Sequence, residues 1–513
     1  MTRRLRSLFQ LACVAGLGAA AIACRERGPT PLLVIGIDGG EWRMIRQLWA
    51  SGELPNLRAL ASAGTSATLR TAYNASPVIW TTIATGVTPR EHGITNFVVP
   101  GPNGDVPISS AVRKVPALWS MLSRVHKRVA VVGWWGSWPA EEVDGVVVSD
   151  RALLDLESRV YPPTYLGRFK EAVERAKRES GLFNLSSEAE LRDAAMAAAG
   201  QDLLREQYDL TLLYFRSADI VSHHEWREDS TATPPIGGAE VSRIYRALDR
   251  AVGEVLAAAG RRNVLVISDH GFRAARTTEI RTLSDFDAAL VHLGYQTRNA
   301  HGVDFGRSLL YCYGSPQYMR KKLVRFAAYG REPGAEVSDS QRAGILSRLD
   351  DDLARIRYGD GSPVFLLRPA TPREGKAGAD FVVLLSPDRA STDVRIDGVP
   401  VKDVVLEVSR LSGTHDAGND GILIAAGPDI QAGAAIEGIR VHDITPTVLF
   451  GLNLPVADNF AGKAWPELFR PEYRARYPLR SIRTWGTSRS GSVRQSAADG
   501  KLMQELRSLG YIR

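Results

Sequence analysis

Cysteine is nearly absent from this sequence of 513 residues, which contains only Cys13, Cys24 and Cys312. The first two fall in an N-terminal segment that we expect to be processed, so the exported body keeps a single remaining thiol. No internal disulfide is then available, even in an oxidising compartment. The chain is long enough for a large core, and the stability of the fold must come from that core.

The sequence also lacks a strong surplus of charge. The formal net charge is +7, and three arginines of the N-terminal segment account for three of these charges, which leaves +4. A surplus that small gives no basis for a nucleic-acid polymer as partner. The apolar fraction of 44% and the charged fraction of 24% are ordinary for a soluble globular protein, and they exclude a disordered chain and a polytopic membrane protein.

A long apolar run is missing as well. The N-terminus has a basic start followed by an apolar stretch over residues 8–22, which is too short to cross a membrane comfortably. Small residues end this stretch. The pattern predicts a signal peptide over residues 1–23 and an exported protein.

The residues Ala21-Ile22-Ala23 directly before Cys24 resemble a bacterial lipobox. The resemblance implies that Cys24 carries a lipid, becomes the new N-terminus and begins a short spacer over residues 24–31. Such a lipid would tether the protein to a membrane without spanning it. Arg25 after the cysteine implies an outer-membrane lipoprotein on the periplasmic side of a bacterial membrane. Plain secretion and a retained anchor are the alternatives.

Short aliphatic runs without helical spacing recur along the chain and predict strands that are buried on both faces of a mostly parallel sheet. They lie at residues 32–37, 129–135, 210–215, 263–267 and 421–428, and another strand is expected at 65–69. The sequence between them predicts helices, so the fold class is α/β. We expect a first core part over residues 32–273 with a helical insertion at about 152–206, a cap insertion over 274–411 with one short strand at 381–385, a second core part over 412–470, and a basic tail over 471–513 that ends in a helix.

Acidic and histidine side chains follow three of these runs. Asp38 comes directly after the first run, and Asp269 and His270 follow the run at 263–267. Asp219 and His223 are four residues apart, which on a helix puts both side chains on one face at the distance that a metal ion needs. His224 is out of step and points elsewhere. Each pair alone is weak evidence, since such pairs are common on protein surfaces.

Ser76 precedes Pro77 at the start of a helix-like run. Serine is a favoured N-cap and proline a favoured first helical residue, so an ordinary helix start explains this pair. A functional interpretation is compatible with it. A hydroxyl at a helix N-terminus lies in positive potential, where a phosphate can be held.

Taken together and in order, these segments resemble the alkaline phosphatase superfamily, in its type I phosphodiesterase/nucleotide pyrophosphatase branch and the related bacterial phosphohydrolase/phosphomutase-like proteins. The matching motifs extend from residue 33 to about 454. They are Ile-Asp-Gly, Ser-Pro-Val-Ile-Trp-Thr-Thr, Thr-Gly-Val-Thr-Pro-Arg-Glu-His-Gly-Ile, Asp-x-x-x-His, Ser-Asp-His-Gly and Gly-Thr-His. The resemblance implies an alkaline-phosphatase-like core with helices on both faces of the sheet and an inserted cap.

The resemblance also implies a role for individual residues. Ser76 is the nucleophile, and Asn96 holds a non-bridging phosphate oxygen. One metal ion is bound by Asp38, Asp269 and His270 together with Ser76. The other is bound by Asp219, His223 and His415. This mixture of nitrogen and carboxylate ligands suits two Zn²⁺ ions, and Mn²⁺ stays open because the mutase relatives use it.

The expected activity is metal-dependent hydrolysis of a small phosphoester, with a phosphodiester or nucleotide pyrophosphate bond broken through a phosphoseryl intermediate. A serine hydroxyl is a poor nucleophile by itself, and no Ser-His-Asp order is present to activate it. The sulfatase motif C/S-x-P-x-R is absent after Ser76. Neutral Asn96 favours a diester monoanion over a monoester dianion, although Arg90 or Arg113 could supply charge.

Two other functions stay open. One is a phosphomonoesterase or phosphomutase-like enzyme, and the other is a non-catalytic binding lipoprotein with the same fold. Tryptophans near the predicted strand ends could stack on a base or a lipid chain, but core packing is the ordinary explanation. They are Trp80, Trp134, Trp135, Trp138 and Trp226. His92 is expected to be structural and His442 to be solvated.

Overall fold

The structure is a computed structural model. It describes residues 28–101, 104–228, 235–275, 281–299, 302–313, 321–376, 378–386, 391–409, 411–488 and 493–508. The predicted signal peptide and Cys24 lie outside these ranges. Within the described ranges, no helix combines the length and the apolar character needed to span a membrane.

The fold is built on one sheet of eight strands. In chain order they are β1 (Leu32–Ile37), β2 (Thr65–Leu69), β3 (Val129–Val132), β4 (Gly145–Val148), β5 (Val160–Tyr161), β6 (Leu210–Phe215), β7 (Asn263–Ile267) and β8 (Gly421–Ala426). Across the sheet the order is β2-β8-β7-β1-β6-β3-β4-β5. The five strands from β7 to β4 are parallel, and β2, β8 and β5 pair with their neighbours in antiparallel orientation. The prediction of a mostly parallel α/β sheet is confirmed.

Strand β1 illustrates why the sequence of a central strand is a continuous aliphatic run. All six of its residues are buried. Its odd-numbered positions such as Leu33 and Ile35 pack in one apolar cluster, while Leu32 and Val34 pack in another. Because alternate side chains of a strand point to opposite faces, both faces of the sheet are covered.

Helices supply the covering layers. Those that matter below are α1 (Trp42–Ala50), α2 (Pro55–Ala63), α3 (Ser76–Thr85), α4 (Leu118–Ser123), α5 (Leu166–Glu179), α6 (Glu188–Leu204), α7 (Ser217–Glu225), α8 (Gly238–Ala259), α9 (Ile444–Gly451) and α10 (Asp499–Ser508). Helices α1, α2, α5, α6, α7 and α8 contribute to the first cluster, and α3, α4 and α9 to the second.

Residues 281–409 form an α+β insertion with an apolar cluster of its own. Its strands Arg281–Ser284 and Val405–Ser409 pair antiparallel where the insertion leaves and rejoins the core. Four strands make its larger sheet, in the order Leu310–Cys312, Lys321–Phe326, Phe381–Leu385 and Phe365–Pro369. Three more are Ile356–Tyr358, Val394–Ile396 and Val399–Val401, and the helices are Phe286–His292, Asp339–Leu353 and Pro372–Lys376.

The sequence predicted only the strand at 381–385 in this insertion. Several of the other strands have only two or three residues, and the longest, Lys321–Phe326, alternates buried with partly exposed residues, so it has no continuous aliphatic run. The remaining small elements are the strand pairs Val98–Gly101 with Gly104–Pro107, Arg273–Ala274 with Gly413–Thr414, Arg298–Asn299 with Gly302–Val303, and Val456–Ala457 with Ser481–Ile482, and the helices Pro89–His92 and Pro471–Arg476.

Candidate active site

Three neighbouring parallel strands carry the candidate residues. Asp38 follows β1, Asp269 and His270 follow β7, and β6 leads into α7, which contains Asp219 and His223. Strand β1 lies between β7 and β6 in the sheet. The carboxyl ends of these strands therefore meet at one edge, where ligands of open α/β sheets bind.

The first group consists of Asp38, Asp269 and His270, whose potential ligand atoms lie within 4.8 Å of one another. The Nε2 atom of His270 is 3.3 Å from Oδ1 of Asp38 and 3.3 Å from Oδ2 of Asp269. Ser76 Oγ lies 3.3 Å from Asp38 Oδ1 and 3.4 Å from His270 Nε2. The hydroxyl thus shares the corner formed by the other three side chains.

The second group consists of Asp219, His223 and His415, also within 4.8 Å of one another. The spacing on α7 works as predicted, since His223 Nε2 lies 3.5 Å from Asp219 Oδ1. The two groups touch, because the rings of His270 and His415 stack with centroids 3.5 Å apart. The structure brings all seven predicted side chains into one pocket, and His224 is exposed at the surface.

The imidazole rings are held in a defined orientation. Nδ1 of His223 lies 3.0 Å from the carbonyl oxygen of Gly413, and Nδ1 of His270 lies 3.0 Å from that of Gly271. A carbonyl oxygen can only accept, so both Nδ1 atoms carry the proton and donate it. The Nε2 atoms then face the carboxylates, where a bound metal ion could take the place of an Nε2 proton, and histidine ligands of metal ions are commonly oriented in this way.

Glycines allow these backbones to come close. At Gly413, an added Cβ would lie 2.2 Å from the carbonyl oxygen of Ser222, next to His223. At Gly39, φ is +69°, and its backbone N–H donates to Asp269 Oδ1 at 3.3 Å. Larger residues at either position would displace the loops that carry the candidate ligands.

The carboxylates differ in their protonation. Asp38 is 1% exposed, and burial alone would raise its pKa, but the hydrogen bond from His270 and its charge outweigh burial and lower it. Tyr214 and Trp135 also donate to Asp38 Oδ2, the latter at 3.4 Å. Burial, and next the charge of Asp38, raise the pKa of Asp219 and of Asp269 well above the usual range.

This crowding fits a bound cation. Three fully buried carboxylates lie together, and within the described part of the chain neither oxygen of Asp219 accepts a hydrogen bond. A buried carboxylate without hydrogen bonds is strongly destabilising unless it is protonated or neutralised by a cation. Together with imidazole nitrogens facing inward, the donor set is one that Zn²⁺ or Mn²⁺ accepts.

The start of α3 differs in one detail from the sequence prediction. Ala75, with extended φ and ψ, is the N-cap, and Ser76 is the first helical residue, followed by Pro77. Ser76 therefore does not cap the helix. Its hydroxyl is instead directed to Asp38 and His270, and the residue is completely buried.

Asn96 is exposed, and its Oδ1 accepts the backbone N–H of Phe97 at 2.8 Å. Its contact with phosphate stays a prediction. Of the two arginines considered as helpers, Arg90 is exposed, and Arg113 is buried and already paired with Glu141.

The predictions for the remaining histidines and tryptophans have different outcomes. His92 is structural, as expected: it is fully buried, and its Nε2 lies 3.1 Å from Thr82 Oγ1. The prediction that His442 is solvated is wrong, because it is 9% exposed with its Nε2 3.0 Å from the hydroxyl of Tyr73. Among the tryptophans, Trp135 is the partly exposed one beside Asp38, and the others are buried in packing.

Sequence reasoning missed Tyr214, which donates to Asp38 from within β6. The signal was present in the sequence as a polar-tipped residue near the end of a mostly apolar run. A buried tyrosine hydroxyl requires a partner, and the nearest polar groups at that strand end are the candidate ligands.

The chain was compared with known proteins. The family model described as type I phosphodiesterase/nucleotide pyrophosphatase matches residues 32–368. No curated protein matches the chain. One similar solved structure is murine ectonucleotide pyrophosphatase/phosphodiesterase 5, with 12% identity, a TM-score of 0.45, and coverage of 86% of this chain and 100% of that one. Another is phosphonoacetate hydrolase from Sinorhizobium meliloti, with 17% identity, a TM-score of 0.43, and coverage of 83% and 96%.

Proposed function

Because the chain belongs to the type I phosphodiesterase/nucleotide pyrophosphatase family and is a phosphoester hydrolase, we propose that it works at a two-metal centre through a phosphoseryl intermediate on Ser76. Membership confirms the resemblance seen in the motifs. The observation that supports the finer proposal best is the position of Ser76 Oγ between Asp38 Oδ1 and His270 Nε2.

We assign the two groups of the pocket to one divalent ion each, with Zn²⁺ favoured and Mn²⁺ as the alternative. Asp38, Asp269 and His270 hold the first ion beside Ser76. Asp219, His223 and His415 hold the second. Bound ions of this kind supply positive charge for phosphate oxygens and lower the pKa of a nearby hydroxyl or water.

The side chains of the site position the groups that react in two successive displacements at phosphorus. Asp38 and His270 fix Ser76 Oγ so that it attacks phosphorus, a bond from Oγ to phosphorus forms, and the bond to the leaving oxygen breaks in line. The departing oxygen takes up a proton in exchange for the one that Ser76 Oγ gives up. In a second displacement, water attacks phosphorus, the bond to Ser76 Oγ breaks, and the proton that water gives up restores the serine hydroxyl.

The choice of a diester or a pyrophosphate bond over a monoester follows from charge. A monoester dianion calls for a further cation near the metals. Arg113 is committed to Glu141, and the phosphate-binding role proposed for Asn96 gives a neutral donor. A singly charged phosphate group is the better match. We also propose that the protein is exported and held at the membrane by a lipid on Cys24.

A substrate and chelator comparison tests the proposal. Purified protein should hydrolyse bis(p-nitrophenyl) phosphate faster than p-nitrophenyl phosphate, and a chelator should remove both activities until Zn²⁺ or Mn²⁺ is restored. Faster monoester turnover would favour a phosphomonoesterase or mutase-like enzyme. Hydrolysis that ignores the chelator contradicts the metal mechanism, and binding without turnover of any phosphoester favours a binding lipoprotein.

A further inference from the structure

The C-terminal helix α10 lies directly beside the candidate active site. Its Met503 is 9% exposed and packs in a small apolar cluster with Phe97. Ala75, the residue before the candidate nucleophile, and Trp135 pack against the same cluster. The helix therefore covers the segments that carry Ser76 and Asn96.

Charged contacts join this helix to the core. Arg216 Nη1 lies 2.7 Å from Oε1 of Glu505, and Arg151 Nη1 lies 3.5 Å from Oδ1 of Asp499. The two arginines are 8% and 5% exposed. Arg216 begins the segment that leads into α7 and its candidate ligands, so one end of this contact lies close to the metal-binding pocket.

A cavity of about 40 Å³ lies under α10, and its wall contains Arg151, Arg192, Arg216, Trp135 and Glu505. Several guanidinium N–H groups in this wall have no hydrogen-bond acceptor among the residues that the structure describes. They are Nε and Nη2 of Arg216 and Nη1 of Arg192, although the last of these lies in an ion pair 3.5 Å from Oδ1 of Asp193. Both arginines are more than nine-tenths buried. Buried charged donors normally have acceptors, so these groups require an explanation.

Aromatic rings separate this cavity from the candidate metal ligands. The guanidinium of Arg216 lies 5.0 Å from the ring centroid of Trp135, and that of Arg192 lies 5.2 Å from the ring of Tyr214. The indole N–H of Trp135 and the hydroxyl of Tyr214 each donate a hydrogen bond to Asp38. The cavity and the catalytic pocket are thus neighbours that share a wall.

Carboxylates near the cavity are already engaged with backbone amides. Asp193 accepts the N–H of Arg216 at 2.9 Å and that of Ser217 at 2.7 Å. Asp150 accepts the N–H of Gly136 at 3.1 Å and that of Trp138 at 2.8 Å. The carboxylate that faces the Arg216 guanidinium most closely is the one on the C-terminal helix.

We propose that Arg151, Arg192 and Arg216 form a second anion-binding position beside the catalytic centre, built for a phosphate group, and that Glu505 of α10 occupies it as a competing carboxylate. Arginine forks match the oxygens of phosphate better than any other side chain. This inference rests on the proposed function. It adds a recognition site for an anionic group other than the phosphorus under attack.

Binding of inorganic phosphate to the full-length, metal-loaded protein tests this site. Calorimetry should find two phosphates per chain, one of them lost in Arg216→Gln and unaffected in the control Arg205→Gln, whose side chain is exposed. Glu505→Gln should tighten this second phosphate by about tenfold, because it removes a charged competitor. A purely structural contact between α10 and the core cannot give opposite effects at the two ends of one ion pair.

One phosphate per chain in both the wild type and Glu505→Gln overturns the proposal, because a cavity that holds only water gives that result. If Arg216→Gln does not fold, Arg192→Gln serves in its place. Chelator should abolish phosphate binding at the catalytic centre and leave the Arg216-dependent phosphate bound. A failure of the metal mechanism is therefore distinguishable from a failure of this second site.

Two ligands identify the source of the anion. If the site receives the outer phosphate of a bound substrate, ADP should displace the Arg216-dependent phosphate, whereas AMP should leave it in place. If the site takes free phosphate, neither nucleotide should displace it. Both outcomes support an oxyanion site and differ only in what fills it.

Discussion

Among the individual residues of the site, Asp219 is the carboxylate with the least favourable environment. Both of its oxygens are buried without a hydrogen bond from the described residues, and Asp38 adds like charge nearby. Burial, and next the charge of Asp38, raise the pKa of Asp219, so in the metal-free protein the carboxyl favours its protonated form. A divalent ion removes the conflict, and this is why the group of Asp219, His223 and His415 is best understood as a metal site.

Two adjacent histidines on α7 give a matched pair for this claim. His223→Asn should remove one ligand of the second ion, lower the metal content toward one ion per chain, and reduce diester hydrolysis by about a hundredfold or more, since several kcal/mol of charge stabilisation is lost. His224→Asn should leave both quantities unchanged, because that side chain is exposed. Equal effects of the two variants, measured by elemental analysis and initial rates, would contradict the assignment.

His92 gives a prediction of pH dependence. Burial, with the charge of Arg113, lowers its pKa from 6.5 to about 3. Below pH 6.5, His92 therefore binds a proton in the unfolded chain but stays neutral in the folded chain. The free energy of unfolding decreases progressively as pH falls below 6.5. Between pH 7.5 and 5 the loss should be about 2 kcal/mol. In His92→Gln, the change in the free energy of unfolding between pH 7.5 and 5 should be smaller than in the wild type by that amount. Denaturant titration at both pH values measures this change. An equal change in the wild type and in His92→Gln would contradict the role assigned to His92.

At the scale of elements, the residue at which α7 begins determines where Asp219 and His223 lie. Its first turn has free backbone N–H groups, as every helix does. Asp193, from the middle of α6, is fully buried and accepts the N–H of Arg216 and of Ser217. A side chain from a distant helix thus fixes the start of the helix that presents Asp219 and His223.

Asp193→Ala should weaken metal binding by the second group about tenfold to a hundredfold, the range seen when a residue supporting metal ligands is lost. Asp193→Asn, which keeps one acceptor oxygen, should recover part of this loss. The first group should keep its ion in both variants. Competition with a chromophoric chelator measures the two affinities separately, and an equal loss at both groups would point to general unfolding instead.

The strands of the sheet show which elements could be predicted from the sequence and which could not. Strands β1, β3, β6, β7 and β8 were predicted because their buried runs are continuous. Strands β4 and β5 were not predicted: β5 has only two residues, and β4, although as long as β3, begins with a glycine and carries no candidate site residue at its end.

Asp38, Asp269 and His270 could be predicted as a group because they follow strands of a parallel sheet, whose ends converge. Ser76 and His415 joined the candidate set only through the family resemblance of the ordered motifs. The position of α10 could not be predicted, because it depends on tertiary contacts that leave no periodic pattern. Tyr214 could be recognised as a polar-tipped residue in a buried strand, but its partner Asp38 could not.

At the scale of the whole molecule, the site residues come from the α/β core, and the insertion over residues 281–409 has a separate apolar cluster. His415 lies just after the insertion rejoins the core, so the chain leaves and returns beside the pocket. We propose that the insertion caps the site and selects substrates, while the core performs the hydrolysis.

The proposed attachment to the membrane depends on Cys24. If Cys24 is lipidated, full-length protein expressed in a bacterium should incorporate labelled palmitate and stay with the membrane fraction. Cys24→Ser should lose the label and become soluble in the periplasm, with diester hydrolysis unchanged. Cys312→Ser should keep the label. Label that persists in Cys24→Ser, or that is absent from the wild type, would contradict the lipoprotein assignment.

The central claim is that Ser76 Oγ is the nucleophile of a metal-dependent hydrolase. The most direct measurement is the rate of bis(p-nitrophenyl) phosphate hydrolysis by metal-loaded Ser76→Ala beside Ser66→Ala, a control whose residue is exposed on β2. We expect Ser76→Ala to retain its metal ions and to lose at least about a thousandfold in kcat, since the covalent step is removed, while Ser66→Ala keeps wild-type activity. Hydrolysis by Ser76→Ala within a few fold of wild type would contradict the account.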